Sequence, residues 1–442
     1  MSDAIGLRFA ELRRRLDARE LRVVDLVEQH LGRIEALADL HAYTLVDADG
    51  ARAAAAAADR ELDAGAHRGP LHGIPIGVKE AWEVEGLPAT NGSPAFAGHV
   101  AERDATVVAR LRAGGAVVLG MQAMSENAIG DLHRDGPGAT GRNPRHPDYV
   151  STGSSSGSAA ATAAGLAVVS LGSDGGGSVR GPAAAAGVVG LKPTETLLPA
   201  DGGYAWTFSM STAGLLAREV AAIEAAFGPL AETAPAAPRS EAPRLAALHP
   251  DDLGELAPGI AAAYREALAA YRAAGATIVE APFVDLASAG PAWFARMREL
   301  AHAHELTLLE RRARYSEAMR GFLAAAAATP LAEYAASFAT ADRLRAAVDR
   351  VLADVDALLT PATPTPGLRW EEWPSELVFP WYRFCFPFNL TGHPGLTLPW
   401  ALDPAGLPLA VTLVGRHGTD EALLALGAWC EARGSFDPTP VP

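Results

Sequence analysis

The chain has 442 residues, 49% hydrophobic and 20% charged, an ordinary balance for a globular protein large enough to bury its core without disulfide or metal staples. A formal net charge of −15 makes nucleic acid and anionic membranes poor partners. Two distant cysteines, Cys385 and Cys430, read as reduced core thiols; the N-terminus is not leader-like and no unbroken apolar run of about 18 residues occurs, so the expectation is a cytoplasmic protein without a membrane span.

Residues 7–65 read as helical, with Leu26, Leu31, Ile34 and Leu37 at helical spacing among charges and an Ala-rich stretch at 51–62. Residues 73–78 are short, apolar and bounded by Gly and Pro, as a buried strand would be. A helix at 104–113 and a strand at 116–119 continue the alternation of an α/β domain. The Pro-, Gly-, Asp- and His-rich stretch 134–150 reads as loop. A small-residue helix at 157–165 leads to a central strand at 166–171 and another strand at 188–191. The one candidate seam, the Pro/Ala-rich stretch 233–243, reads as a surface loop inside a single domain. Beyond it come helices, strands at 356–360, 396–399 and 409–414, and a closing helix at 421–432. The expected organisation is one domain, 1–442. It comprises a helical segment (1–65), a core carrying the chemistry (66–220), the 233–243 loop, and the rest of the core with the pocket walls (244–442).

Two Gly/Ser-rich runs stand out, Thr152-Gly153-Ser154-Ser155-Ser156-Gly157-Ser158 and Gly172-Ser173-Asp174-Gly175-Gly176-Gly177-Ser178-Val179-Arg180. A linker is one reading, but linkers seldom lead straight into a helix, a strand and a Gly-rich turn. Ser155 sits in a G-x-S-x-G match; that elbow needs a strand just before the serine, and residues 144–152 are polar and proline-broken. The glycines fit neither a P-loop nor a dinucleotide-binding turn. Glycines just before a serine let the backbone turn sharply and point N–H groups inward. A hydroxyl nucleophile needs a partner that takes its proton and donors for the oxyanion. Lys79, on the apolar 73–78 segment, Ser154 and Ser178 suit the first need, and Gly175 to Gly177 the second. The 12 histidines are scattered without a His-Glu-x-x-His motif, and no metal or other cofactor is expected.

These runs resemble the amidase signature family, whose members carry a G-G-S-S-G-G-S run, a later D-x-G-G-S-[IV]-R run and an upstream G-[IV]-P-x-x-V-K-[DE] segment. Here 75 residues separate Lys79 from Ser154 and 24 separate Ser154 from Ser178, in register with the family. Further matches are Gly141-Arg142-Asn143-Pro144, Val188-Val189-Gly190-Leu191-Lys192-Pro193-Thr194, Phe388-Asn389-Leu390-Thr391-Gly392-His393-Pro394-Gly395 and Gly406-Leu407-Pro408. Four positions depart from the pattern: Thr152 and Ser156 replace glycines, Glu80 stands where Asp is usual, and Asn127 where an aromatic is usual. The resemblance implies a three-layer α/β/α fold with a large mixed central sheet covered by helices on both faces. It implies Ser178 as nucleophile, Ser154 as bridging serine with a cis peptide bond, Lys79 as general base, and Gly175, Gly176 and Gly177 as oxyanion donors. Ser155, Asp174 and Arg180 support the site, with Asp174 and Arg180 holding the loop together; Lys192 reads as a surface or loop anchor.

Candidate pocket walls are Met124, Asn127, Ile129, Trp206, Phe208, Trp381, Tyr382, Phe384 and Phe386. The implied activity is hydrolysis of C–N bonds in small amides, with anilides, carbamates or esters open to the same acyl-enzyme chemistry. The implied partner is a small amide-like molecule, and the chain a monomer or homodimer. The alternatives are a biuret- or carboxybiuret-type hydrolase and the A-type subunit of a tRNA-dependent amidotransferase. Such subunits carry a G-x-E-x-x-R-R-I-x-x-G segment; residues 332–345 offer none, and Tyr382-Arg383 precede Asn389 without an acidic residue.

Overall fold

A computed structural model describes residues 4–129, 140–204, 209–234, 239, 241–308, 312–372 and 378–441. Eleven strands form one mixed sheet: β1 (Tyr43–Val46), β2 (Pro75–Lys79), β3 (Val117–Gln122), β4 (Val169–Asp174), β5 (Val189–Lys192), β6 (Thr212–Ala217), β7 (Arg244–Ala247), β8 (Thr277–Glu280), β9 (Ala357–Pro361), β10 (Gly395–Leu402) and β11 (Pro408–Val414). Their order is β1-β3-β2-β4-β6-β5-β10-β11-β9-β7-β8. Strands β3, β2 and β4 run parallel, as do β8, β7 and β9; the pairings that link these groups, and β1 on β3, are antiparallel.

Every residue of β2, β3 and β4 is buried. That is why these strands show no in-out alternation in the sequence: strands covered on both faces read as continuous buried runs. Strand β6 shows the two layers directly. Ala213, Leu215 and Ala217 belong to the large core that includes Val220 and Leu423, whereas Leu216 packs with Ala159, Ala163, Ala183 and Ala186. Alternate side chains of a strand point to opposite faces. The helices Ser156–Ala163 and Arg180–Ala186 therefore cover one face, and Val220–Ala231 and Asp420–Glu431 the other.

The helix Ser156–Ala163 is made of small, fully buried residues, which let it lie close to its neighbours. A side chain at Gly157 would meet the Ala123 amide nitrogen and the Ala42 carbonyl at 2.5 Å, so only glycine fits there. The helix at 157–165, the closing helix and seven strands stand within a few residues of where the sequence places them. Strands β1, β6, β7 and β8 have no counterpart in the sequence reading; β1 interrupts the helical stretch 7–65. The strand expected at 166–171 instead runs Val169–Asp174, because Ser173 and Asp174 find polar partners inside the protein. Strands on both sides of the 233–243 stretch belong to the same sheet. Cys385 and Cys430 are free and buried. No helix among the described residues is long and apolar enough to cross a membrane.

Candidate active site

Strands β2 and β4 are parallel neighbours in the register Val78↔Leu171, which brings Lys79 at the end of β2 close to the last residues of β4, Ser173 and Asp174. The Lys79 side-chain nitrogen Nζ lies 2.7 Å from Ser154 Oγ and 2.8 Å from Ser173 Oγ. Lys79 and Ser154 are 0% and 1% exposed. Burial pushes the Lys79 amine well below its ordinary value, and the nearby Asp174 charge only partly opposes this. The Gly153–Ser154 peptide bond is cis. Tyr382 Oη donates to the Gly153 carbonyl at 2.6 Å and the Gly153 amide lies 3.2 Å from the same oxygen, so one phenol holds both sides of this residue.

Ser178 follows the turn after β4 and, unlike its neighbours Gly177 and Val179, is half-buried. Its carbonyl accepts the Ser155 amide at 3.2 Å, which ties the second Ser run to the first. Ser155 Oγ in turn donates to the Ser173 carbonyl at 3.3 Å. Asp174 organises the turn. It accepts the amides of Gly177 (2.7 Å), Val179 (3.2 Å) and Arg180 (3.3 Å). It also takes two guanidinium contacts from Arg180 at 3.0 and 2.9 Å, and one from Asn389 Nδ2 at 2.9 Å. Burial alone would raise the Asp174 carboxyl; the Arg180 guanidinium and these donors override it and hold it well below the carboxylate range.

The commitment of the Gly177 N–H to Asp174 narrows the set of available oxyanion donors. Among the described residues, no acceptor takes the N–H of Gly175, Gly176 or Ser178. Of the expected donors Gly175, Gly176 and Gly177, the first two thus stay uncommitted, as does the Ser178 amide. Gly177 has φ 110°, and a side chain on it would strike Tyr382 and Cys385 at 2.6 Å, so glycine is required for backbone and space alike.

Of the expected pocket walls, Phe386 reaches the turn through Trp293. The two rings stack at 4.5 Å, and Trp293 Nε1 donates to the Gly175 carbonyl at 2.7 Å. Met124 and Ile129 lie on the segment whose Ser125 amide meets the Ser154 carbonyl at 3.4 Å. Asn127 is fully buried in a left-handed conformation (φ 49°) and accepts Asn91 Nδ2 at 2.7 Å. Trp381 and Phe384 are core residues, 1% exposed, with Trp381 Nε1 bonded to the Thr365 carbonyl. Trp206 and Phe208 lie outside the described residues. Lys192 is no surface anchor: it is 1% exposed and donates to the Pro193 carbonyl, and burial with the neighbouring Arg180 charge lowers its amine to about 8.

Sequence reasoning missed Ser173, Trp293 and the position of Asn389. Ser173 directly precedes Asp174 and Asn389 stands in a quoted motif, so both had a local signal. Trp293 had none, since it arrives from the distant helix Ala289–Leu308.

A family model described as Amidase matches residues 25–424. The chain is 32% identical to the A-type subunit of the glutamyl-tRNA(Gln) amidotransferase of Streptomyces coelicolor, over 98% of this chain and 97% of that protein. It is 36% identical to a putative amidase, AmiB2, of Mycobacterium tuberculosis, over 92% of each. Among solved structures, one described as an amidase superposes with a TM-score of 0.90 at 32% identity, covering 97% of this chain and 100% of that one. The peptide amidase of Stenotrophomonas maltophilia gives 0.82 at 30% identity, covering 98% of each. Sequence match, fold and the lysine–serine arrangement at the ends of β2 and β4 agree, and the chain belongs to the amidase signature family.

Proposed function

We propose that this protein is an amidohydrolase that cleaves the C–N bonds of small linear amides, other than peptide bonds, through an acyl-enzyme on Ser178. The observation that carries this reading is a buried lysine, poor at holding a proton, 2.7 Å from Ser154, whose neighbour Ser155 is tied by its amide to the half-buried Ser178 on a turn with uncommitted amides. Ser178 Oγ attacks the substrate carbonyl carbon while its proton passes through Ser154 to neutral Lys79. The carbonyl oxygen takes the negative charge, facing the amides of Gly175, Gly176 and Ser178. As the C–N bond breaks, Ser154 returns the proton to the departing amine, with Lys79 resupplying Ser154. Water then attacks the acyl-enzyme by the same relay and releases the acid. No metal takes part in these steps. Asp174, Arg180 and Asn389 hold the turn, and Trp293 with Phe386 offers an apolar wall beside Gly175 for an aromatic or aliphatic substrate group. The chain works as a single domain in the cytoplasm, as a monomer or homodimer.

Ser178→Ala is expected to abolish hydrolysis with the fold retained, and a sulfonyl or phosphonyl fluoride to label Ser178. A label on Ser155 would restore the G-x-S-x-G reading. A panel of amides, anilides, ureas, carbamates and esters ranked by kcat/KM sets the substrate class.

The identity to an amidotransferase component over almost the whole chain supports a second reading, a glutaminase working inside an assembly. Arg383, one of the two residues before Asn389 that lack an acidic companion, turns away and donates to the Leu253 carbonyl at 2.7 Å. Glutamine hydrolysis that appears only with partner proteins would favour this second reading.

A further inference from the structure

Outside the lysine–serine site, three residues far apart in sequence converge. Asp349 lies near the end of the helix Leu331–Leu352, His393 just before β10, and His417 just after β11. One donor atom from each lies within 4.8 Å of the other two. His393 Nε2 is 3.0 Å from Asp349 Oδ1, and His417 Nδ1 is 4.0 Å from the same oxygen. The geometry points to a divalent-cation site of zinc-like chemistry formed by Asp349, His393 and His417, structural and separate from the amide-cleaving machinery.

His417 Nε2 is 2.8 Å from the Thr391 carbonyl, which can only accept, so Nε2 is the protonated nitrogen. In the neutral ring, Nδ1 then turns a lone pair toward the Asp349 carboxylate. A cation between them would take both lone pairs, which otherwise face each other across 4.0 Å. His393 is 0% exposed, and its ring centroid lies 4.0 Å from that of His417. Two imidazoles and one carboxylate form a donor set that suits zinc.

The spacing also fits. Tetrahedral zinc with bonds of about 2.0–2.1 Å places its donors about 3.3 Å apart, between the two observed separations. Thr391 orients both rings. Its carbonyl fixes His417, and its hydroxyl lies 2.9 Å from His393 Nδ1, where it can accept the N–H that frees Nε2 for a metal. Three protein ligands leave a fourth position for water, and Asp349 (52% exposed) and His417 (33%) open it to solvent. Of the nearby cations, Arg345 donates its Nε–H at 2.9 Å to the Thr391 carbonyl that also meets His417 Nε2, with Glu195 3.6 Å from its guanidinium, and Lys192 is engaged with the Pro193 carbonyl.

The test uses the full-length chain freed of tags and stripped with EDTA. Calorimetric titration with Zn2+ alone is expected to show about one equivalent bound, with a rise in Tm, and Co2+ to give the visible absorption of a tetrahedral site. His417→Ala and Asp349→Ala, both at partly exposed positions, are expected to weaken binding about 100-fold or more. His67→Ala, an exposed histidine elsewhere, should not change it. Absence of stoichiometric Zn2+ binding to the wild type, or unchanged affinity in both site variants, overturns the assignment.

Discussion

Lys79 carries a burden that its surroundings impose. Its amine is buried and pushed well below its ordinary value by desolvation, so in the native protein it loses its proton on the acid side of the pH at which a free lysine would. Between those two pH values the unfolded chain binds the extra proton, and stability contributed by this group rises with pH. Activity on amides is expected to rise with pH in the same direction, because in the proposed relay only the neutral amine accepts the Ser178 proton. Lys79→Ala is expected to cost roughly 10²–10⁴-fold in kcat/KM on an amide but much less on a matched activated ester, whose leaving group departs without a returned proton. Lys79→Arg should not rescue the amide, since a guanidinium stays protonated. Equal losses on both substrates would make Lys79 a positioning residue.

Asp174 shows the opposite sign. Its folded carboxyl is depressed, so the stability it contributes is present above the ordinary carboxylate value and lost as pH falls through it. Asp174→Ala would leave the fully buried Arg180 guanidinium unpaired and three turn amides without their acceptor. The expected cost is about 3–5 kcal/mol, read from urea denaturation at neutral pH. A loss under about 1 kcal/mol would show that water or relaxation replaces these bonds.

Among the elements, the strands carrying the site announce themselves because they are wholly buried, and a short apolar run bounded by Gly and Pro has few other interpretations. Strands β7 and β8 are four residues each, β7 exposed at its first residue and β8 at both ends, and β1 alternates between half-buried and exposed. Four residues at or next to a sheet edge carry too little periodicity to stand out from helix or loop. Helix ends hold a testable charge. The Glu431 carboxylate accepts the Val220 amide at 3.0 Å at the start of the helix Val220–Ala231, while burial raises its carboxyl to about 7. A raised carboxyl means stability present at low pH and lost as pH climbs toward and through 7. Glu431→Gln is therefore expected to raise Tm at about pH 8 and to change it little at about pH 5. A Tm shift of equal size at both values would point to packing rather than charge.

For the whole molecule, the sheet runs unbroken from β1 to β8 and crosses the 233–243 stretch. Calorimetry is expected to show a single cooperative transition; two resolved transitions would mark that stretch as a domain boundary. The sequence alone determined the family, the candidate chemistry and seven of the strands, β2 and β4 among them, but not the central β6. These rest on glycines with no room for a Cβ and on short runs such as Asp174 to Arg180, where the hydrogen-bonding partners are nearly adjacent in the chain. Tertiary structure alone decided which amides of the turn stay uncommitted, that Tyr382 clasps Gly153, that Trp293 walls the Gly175 carbonyl, and that Asp349, His393 and His417 meet. Those facts depend on how residues far apart in the chain converge, and a side chain's choice of a distant partner leaves no periodicity or local propensity in the sequence to read.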